Sequence, residues 1–238
     1  MNKPFIFKQF TVHQDRCAMK IGTDGVLLGA WASLANNPNS ILDIGAGTGI
    51  IALQLAQRCQ AQTIDAVEIN PDAYEQCVEN FENAPWNDRL FCYHSSLQKF
   101  TLELQGETYD LIITNPPFFT EAYRPQNTDR KTARFQDTLP FNELLVCVSK
   151  LLAHNGSFAA IIPFKEEEKF IDLALKHALF LNRKWHVKGS ETSKVKRSLL
   201  QFSFHQSPLE QKELVIEKNR HVYTQAYKNL VNGFYLNM

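Results

Sequence analysis

The segment Asn115-Pro116-Pro117-Phe118 follows an apolar, β-branched run and places several hydrogen-bond acceptors in one short loop. The two prolines stiffen the backbone and remove two N–H donors, which leaves carbonyl groups and the asparagine oxygen. An amine conjugated to a ring is a poor nucleophile because its lone pair is delocalised. If its two N–H groups donate to the Asn115 oxygen and the Pro116 carbonyl, the lone pair localises on nitrogen, most strongly in the transition state. With Phe118 as a stacking face, the loop predicts activation of a planar amine; the structural alternative is a rigid proline turn with a buried phenylalanine.

A glycine-rich loop precedes this segment, in residues 43–49 with the sequence Asp-Ile-Gly-Ala-Gly-Thr-Gly. It follows a predicted strand and begins a predicted helix, where glycines let the backbone approach a ligand closely. The dinucleotide fingerprint would require glycine at position 50, which is Ile50, so a nicotinamide cofactor is disfavoured. The form D-x-G-x-G-x-G resembles motif I of Rossmann-like methyltransferases, in which the loop surrounds the methionine part of S-adenosylmethionine. A structural tight turn is the alternative. The predicted cofactor contacts in this loop are Asp43, Gly45, Gly47 and Gly49.

An acidic residue, Glu68, ends the second predicted strand, where a carboxylate can accept hydrogen bonds from both ribose hydroxyls of a nucleotide cofactor. A solvent-facing glutamate is the alternative. We include its neighbour Ile69 among the cofactor contacts. After the third strand, methyltransferases often place an acid against the cofactor adenine, but this sequence has Ser95 and Ser96 there. A hydroxyl or backbone group of one of these serines is expected to substitute.

Strand and helix patterns alternate from about residue 40 to about residue 180, which predicts a parallel sheet covered by helices on both faces. The predicted strands cover residues 41–44, 63–69, 90–93, 109–114 and 158–162, and the predicted helices include 50–58, 142–152 and 166–177. A further helix begins at Asn70-Pro71. Residues 184–188 and 199–205 then form two strands without an intervening helix. We therefore predict an α/β, Rossmann-like, mostly parallel seven-stranded sheet with an antiparallel C-terminal hairpin at its edge.

The two ends of the chain do not follow the alternation. Phe5, Phe7 and Phe10 predict a short aromatic strand, and a helical pattern runs from Thr23 to Trp31. We expect one methyltransferase domain over residues 1–238, with an N-terminal extension at 1–39, the Rossmann-like core at 40–206, and a C-terminal tail at 207–238 packed on the core.

Composition limits the cellular setting and the chemistry. With 44% hydrophobic residues the 238-residue chain is not disordered, and no apolar run approaches the roughly 20 residues of a membrane span. The N-terminus lacks the features of a secretory signal. Five cysteines without a C-x-x-C pair argue against disulfides and against a zinc site. We expect a protein of the reducing cytoplasm, with no metal and no obligate protein partner.

Net charge is zero, so only local charge can favour a nucleic acid. Between Arg183 and Arg197 six basic residues face one acid, Glu191. A second cluster after the proline loop is diluted by three acids. Either cluster could hold phosphates or could be a solvated face. The candidate RNA-binding residues are Arg130, Lys131 and Arg134 in the second cluster and Lys194, Lys196 and Arg197 in the first.

Several pieces together resemble the bacterial tRNA1(Val) (adenine-N6)-methyltransferases, which modify the adenosine beside the anticodon. They are the N-terminal block from Phe7 to Trp31, Asn115 to Phe119, Arg130 with Ala133-Arg134, Leu139 to Leu145, Lys196-Arg197 and the Phe234-Tyr235-Leu236 ending. The resemblance covers nearly the whole chain. It implies S-adenosylmethionine as cofactor, tRNA as substrate, and positions near the cofactor for Lys20, Thr23 and Asp24. On the residues alone, Thr23 or Asp24 could instead cap the helix that leads to Trp31.

Four other functions compete with methylation of a tRNA adenine. Similar proline loops occur in protein glutamine methyltransferases and in N6-adenine enzymes acting on other nucleic acids. The glutamine enzymes carry a longer helical N-terminal domain, for which about 40 residues are too few. A catalytically idle RNA-binding module is disfavoured by the intact Asn115 and glycine loop, and a nicotinamide oxidoreductase by Ile50.

Overall fold

A nine-stranded mixed sheet forms the centre of the part of the chain that the computed structural model describes, residues 3–116 and 139–238. Its strands are β3 (Ser40–Ile44), β4 (Thr63–Glu68), β5 (Leu90–His94), β6 (Tyr109–Thr114), β7 (Leu152–Pro163), β8 (Phe180–Ser190), β9 (Val195–Ser203), β10 (Glu210–Asn219) and β11 (Val222–Tyr223). A separate two-stranded sheet precedes it, made of β1 (Phe5–Ile6) and β2 (Thr11–Val12).

Helices fill most of the connections between these strands. They are α1 (Thr23–Trp31), α2 (Ile50–Arg58), α3 (Pro71–Glu82), α4 (Leu97–Glu103), α5 (Phe141–Leu151), α6 (Glu167–Lys176) and α7 (Gln225–Val231), with a 3-10 turn at Phe164–Glu166. The predicted cap of α3 is confirmed, because the Asn70 side chain accepts a hydrogen bond from the backbone N–H of Ala73 at 3.0 Å. In the described residues no helix combines the length and the apolar character that crossing a membrane requires.

The strand order is β11-β10-β8-β9-β7-β6-β3-β4-β5. The five strands from β7 to β5 in this order run parallel to one another, whereas β9 is antiparallel to both of its neighbours, β7 and β8. The α/β class, the mostly parallel sheet and the antiparallel C-terminal pair are therefore confirmed. All five parallel strands end at the same edge, which is where loops can form a ligand site.

The predicted strand number, seven, and the position of the hairpin at the sheet edge are wrong. In the described residues β10 and β11 extend the sheet beyond β8, and β10 runs parallel to it. The reason is the mostly polar sequence of β10, of which only Leu214 is buried. A solvated strand of this kind shows little hydrophobic periodicity, so these residues gave the pattern of a polar tail.

Two apolar layers hold the helices against the sheet. One lies between the sheet and α1, α2 and α7, and includes Ile41 and Trp31. The other lies beneath α4, α5 and α6, and includes Leu42 and Phe158. Because successive strand residues point to opposite faces, Ile41 and Leu42 enter different layers. Each fully buried large side chain contributes about 1.5–3 kcal/mol, so the carboxyl ends of β3 and β6 are held by a rigid base.

Candidate functional site

The proline loop and the glycine loop leave the sheet side by side. β3 and β6 are hydrogen-bonded neighbours, with Ile44 opposite Thr114, and the Thr114 hydroxyl donates to the Ile44 carbonyl at 2.8 Å. The next residues, Gly45 and Asn115, therefore begin their loops about one strand spacing apart, roughly 4.8 Å. Asn115 is partly exposed and Pro116 is buried. Pro117 and Phe118 lie outside the described residues.

The glycines of the first loop have backbone conformations that other residues rarely adopt. Gly45, Gly47 and Gly49 have φ values of 71°, 56° and 77°. A Cβ on Gly45 or Gly47 would meet nothing within 4 Å, whereas one on Gly49 would lie 2.6 Å from the Phe81 ring. The first two glycines thus leave open space above the loop for a ligand, and the third permits close packing of α2 against α3.

Glu68 holds the glycine loop from the neighbouring strand. Its two carboxylate oxygens accept hydrogen bonds from the backbone N–H groups of Gly47 and Asn70, both at 2.8 Å. The side chain is 8% exposed, so its orientation is well defined. Each carboxylate oxygen can accept a further hydrogen bond, which leaves Glu68 able to receive the hydroxyls of a ribose placed over the loop.

Asp43 is a fully buried carboxyl group at the base of the loop. One oxygen accepts from the Ala52 N–H at 3.2 Å, and within the described residues the other has no hydrogen-bond partner. Burial raises the pKa of this carboxyl to about 7, with a smaller contribution from the charge of Glu68. The site therefore contains a buried, incompletely satisfied acid that a nearby positive charge would stabilise.

The residues predicted to contact the cofactor adenine lie at the ends of β4 and β5. Ile69 is 43% exposed directly after Glu68, and its carbonyl lies 3.1 Å from the His94 ring nitrogen Nε2. The Ser96 hydroxyl accepts from the Lys99 N–H and caps α4, while the Ser95 hydroxyl donates to the Ser96 carbonyl. Their role as adenine contacts stays a prediction. The helix α4 was missed by sequence reasoning, although Ser96 is a cap residue of the expected type.

The N-terminal segment lies against the glycine loop and is held there by buried amide side chains of α3, among which Asn80 contacts both the segment and the loop. Asn80 of α3 accepts from the His13 N–H at 2.8 Å and donates to the His13 carbonyl and the Thr48 carbonyl, at 2.8 and 2.9 Å. The Lys20 ammonium donates to the Gln14 and Cys17 carbonyls, at 2.5 and 2.7 Å. Lys20 therefore closes the turn that precedes α1.

Burial of the Cys17 thiol raises its pKa to about 11, and the charge of Glu68 adds to the shift. This electrostatic effect of Glu68 indicates that the N-terminal turn lies near the predicted ribose contact. The structure thus brings the turn containing Lys20 to the predicted cofactor site. Sequence reasoning did not identify Asn80, whose partners His13 and Thr48 are distant from it in the chain.

Asp24 forms an ion pair with Arg197 that sequence reasoning did not foresee. The Arg197 Nε atom donates to an Asp24 carboxylate oxygen at 2.7 Å. The capping alternative for Thr23 and Asp24 is wrong, because the N-cap of α1 is Gly22 and no side chain caps it. Physically, the Asp24 carboxylate is attracted to the guanidinium instead of the helix N-terminus. The pair links the start of α1 to the first part of β9, at the carboxyl edge of the sheet.

The remaining predicted RNA-binding residues fall into two groups. Lys194 and Lys196 are exposed at the start of β9. Since Arg197 lies opposite Pro163 at the end of β7, both lysines are at the same edge of the sheet as the glycine loop. Arg130, Lys131 and Arg134 lie outside the described residues.

Comparison with known proteins identifies the class that this fold and site define. The family model described as "Methyltransferase small domain" matches residues 24–135. A solved structure titled as a predicted O-methyltransferase from Agrobacterium tumefaciens superposes with a TM-score of 0.69 over 89% of this chain and 96% of its own, at 18% identity. A putative RNA methyltransferase from Pyrococcus horikoshii gives a TM-score of 0.54 over 75% and 81%, at 16% identity. At these identities the structural likeness concerns the fold, which is that of the Rossmann-like methyltransferases.

Full-length relatives identify the family within this class. The chain is 56% identical to a tRNA1(Val) (adenine(37)-N6)-methyltransferase of Christiangramia forsetii, over 100% of this chain and 99% of the relative. It is also 56% identical to a protein of the same name from Flavobacterium psychrophilum, over 98% of this chain and 100% of the relative. The chain belongs to the tRNA1(Val) (adenine(37)-N6)-methyltransferase family.

The cofactor of this class is S-adenosylmethionine, and the residues present fit it. The open space over Gly45 and Gly47 admits a ligand, Glu68 is oriented for a ribose, and the buried Asp43 has one carboxylate oxygen without a hydrogen-bond partner among the described residues, which a cation would stabilise. S-adenosylmethionine carries a ribose, a sulfonium and an ammonium group, so it matches all three features. Among the described residues no group of His, Cys, Asp and Glu side chains has a metal-binding arrangement.

Proposed function

We propose that this chain methylates N6 of adenosine 37 in tRNA1(Val), using S-adenosylmethionine. The observation that carries the proposal is the position of Asn115 and Pro116 at the end of β6, one strand away from the glycine loop. The full-length relatives carry this activity in their names, which supports adenine over glutamine as the acceptor.

The first step is to orient the adenine amine. The Asn115 side-chain oxygen and the Pro116 carbonyl accept its two N–H groups, which localises the nitrogen lone pair. Asn115 and Pro116 are held in place for this role, because β6 is tied to β3 by Thr114 and Ile44 and Pro116 is buried. Preorganised acceptors of this kind act mainly on the transition state. A base in an RNA loop is already unpaired, so moving it into the site costs little. Phe118 is proposed to stack on the adenine there.

The second step is to align the amine with the methyl donor. When bound, S-adenosylmethionine supplies an electrophilic methyl group. Gly45 and Gly47 admit its methionine part, while Gly49 packs α2 against α3 beneath the loop. Glu68 accepts its ribose hydroxyls, and Ile69 with Ser95 or Ser96 contacts its adenine. Lys20 and Asp24 hold the N-terminal turn and α1 beside the site. The methylated nitrogen then loses one proton to water, which needs no strong base because a protonated ring amine is acidic.

Lys194, Lys196 and Arg197, with Arg130, Lys131 and Arg134, are proposed to bind tRNA phosphates. A tRNA-modifying enzyme of this kind works where tRNA is made and used, so we infer a cytoplasmic location.

The test separates catalysis from cofactor binding. Asn115→Ala should lower the single-turnover rate of methyl transfer by about 100-fold or more, the effect of removing one preorganised hydrogen bond. The dissociation constant for S-adenosylhomocysteine should stay within about twofold, because Glu68 and the glycine loop are unchanged. Asn142→Ala, an asparagine at the start of α5, serves as the matched control. A variant that transfers methyl groups at the wild-type rate would refute the role of Asn115.

A further inference from the structure

Most positive charges of the 183–197 cluster are paired within the protein. Their ion pairs are Arg183–Glu210 at 3.4 Å, Lys184–Glu167 at 2.8 Å, Lys188–Glu213 at 2.9 Å and Arg197–Asp24 at 2.7 Å. Two of these acids, Glu210 and Glu213, come from β10, which sequence reasoning did not place in the sheet. The cluster therefore presents less unpaired charge to an RNA than its sequence suggests.

Glu167 is the most buried of these acids, with 6% exposure. Burial alone raises the pKa of its carboxyl, but hydrogen bonds from Lys184 and Ser198 and the neighbouring His186 bring that pKa below its usual value. The carboxylate is therefore charged at neutral pH and forms an ion pair with the Lys184 ammonium. These groups stabilise the junction of α6, β8 and β9 and do not attract phosphate.

The turn between β10 and β11 supplies exposed cations in their place. Lys218, next to the last residue of β10, and Arg220, in the turn itself, are both exposed, and within the described residues neither has an ion-pair partner. Lys194 and Lys196 share these properties at the start of β9. The nearest acids in the two loops are Glu191 and Glu217, and a Glu217 oxygen already accepts from the His221 N–H at 3.3 Å.

Strand register places all four cations at the edge of the sheet that carries the active site. Arg197 lies opposite Pro163 at the end of β7. Lys188 pairs with Val195, and Glu217 pairs with Ser190. Four strand spacings separate β6 from β10, roughly 19 Å across the sheet. The register also places Glu217 six residues, roughly 20 Å, beyond the level of Thr114 along the strands, so the turn is roughly 28 Å from the start of the proline loop. A folded RNA hairpin, unlike a single nucleotide, can contact both places.

The opposite half of the same edge has the opposite charge. Four carboxylates lie in α3 and in the N-terminal turn, which also contains Arg16. They are Asp15, Asp72, Glu75 and Glu79, of which the last two pair with Arg16 at 3.4 and 3.3 Å. Among the described residues Lys20 also lies in this region, and its ammonium donates hydrogen bonds to two backbone carbonyls. Phosphates are disfavoured on this side.

We infer that the β10–β11 turn is part of the tRNA-binding surface, with Lys218 and Arg220 contacting phosphates of the tRNA beyond the modified loop. The RNA then runs from Asn115 across the ends of β7, β9 and β8 to β10. These contacts are independent of base sequence and fix the orientation of the tRNA. The inference rests on the proposed tRNA substrate and adds a surface that the sequence did not indicate.

The experiment compares two pairs of substitutions that lower the net charge equally. Lys218→Ala with Arg220→Ala removes the turn cations. Lys150→Ala with Lys176→Ala removes two exposed lysines at the ends of α5 and α6, near the other edge of the sheet. Binding of unmodified tRNA1(Val) transcript is measured by fluorescence anisotropy between about 50 and 200 mM KCl. Over this range a protein that contacts several phosphates loses much of its affinity.

The turn variant should bind tRNA about tenfold more weakly at low salt. Each phosphate contact contributes about 0.7–0.9 to the slope of log K against log salt, so the slope should become shallower by about 1.5. The control pair should change neither value, and both variants should keep the wild-type affinity for S-adenosylhomocysteine. Equal effects of the two pairs, or no effect of the turn pair, would overturn the inference. The proposed function would still hold in that case if the wild-type protein methylates the tRNA. A wild-type protein that neither binds nor methylates this tRNA would overturn both.

Discussion

Substitutions at Gly47 and Gly49 test whether these two glycines have different roles, Gly47 in ligand binding and Gly49 in packing. Both have positive φ, so alanine at either position costs about 1–2 kcal/mol of backbone strain. At Gly49 the new methyl group would also lie 2.6 Å from the Phe81 ring and 2.9 Å from the Cys77 sulfur. Overpacking of this kind costs about 1–3 kcal/mol. At Gly47 the methyl group meets nothing within 4 Å of the protein, but it enters the space assigned to the cofactor.

The two substitutions should therefore separate stability from cofactor affinity. In a chain of this size about 1 kcal/mol corresponds to 2–4 °C in Tm. Gly49→Ala, at about 2–5 kcal/mol, should lower Tm by about 4–20 °C, and Gly47→Ala, at about 1–2 kcal/mol, by about 2–8 °C. Gly47→Ala should nevertheless lose at least about tenfold in affinity for S-adenosylhomocysteine. Differential scanning fluorimetry without ligand and titration calorimetry measure the two quantities. If Gly47→Ala is the less stable variant, or if it binds the ligand as tightly as the wild type, the assignment of open space to the cofactor is wrong.

Two further predictions concern buried and paired charges. The raised pKa of Asp43, about 7 in the folded protein against about 3.9 when unfolded, means that the folded state holds more protons between these values. The free energy of unfolding without cofactor should therefore fall as pH rises from about 4 to 7, by up to about 1.4 kcal/mol per pH unit. Urea unfolding at pH 5 and pH 7 should show this loss in the wild type and not in Asp43→Asn, and equal slopes in both proteins would contradict it. In a double-mutant cycle, Asp24→Asn and Arg197→Gln should show a coupling of about 0.5–1 kcal/mol, since the pair is partly exposed; additive effects would show that the ion pair contributes nothing.

The local motifs were predictable from the sequence because their signals lie within a few residues. The glycine loop, the cap at Asn70 and the strand before Asn115 each combine a short pattern with a definite physical requirement, and the structure has them where the sequence predicts. The positive φ of Gly45 and Gly47 follows the same logic.

Other features depend on contacts between distant parts of the chain. Asp24 and Arg197 are separated by 173 positions, and Asn80 contacts residues 67 and 32 positions away. No local pattern indicates such partners. The strand β10 was missed for a different reason. It is mostly solvated, so its residues lack the apolar alternation on which strand prediction depends. That omission made the basic cluster look unpaired, whereas β10 neutralises part of it.

The most direct test of the central claim is to locate the transferred methyl group. Purified enzyme, S-adenosylmethionine and unmodified tRNA1(Val) are incubated, and the products are analysed by mass spectrometry of nucleosides and of nuclease fragments. We expect N6-methyladenosine at position 37, formed by the wild type and almost absent with Asn115→Ala. Methylation of another base or another position, or no methylation by a protein that binds the cofactor, would contradict the account.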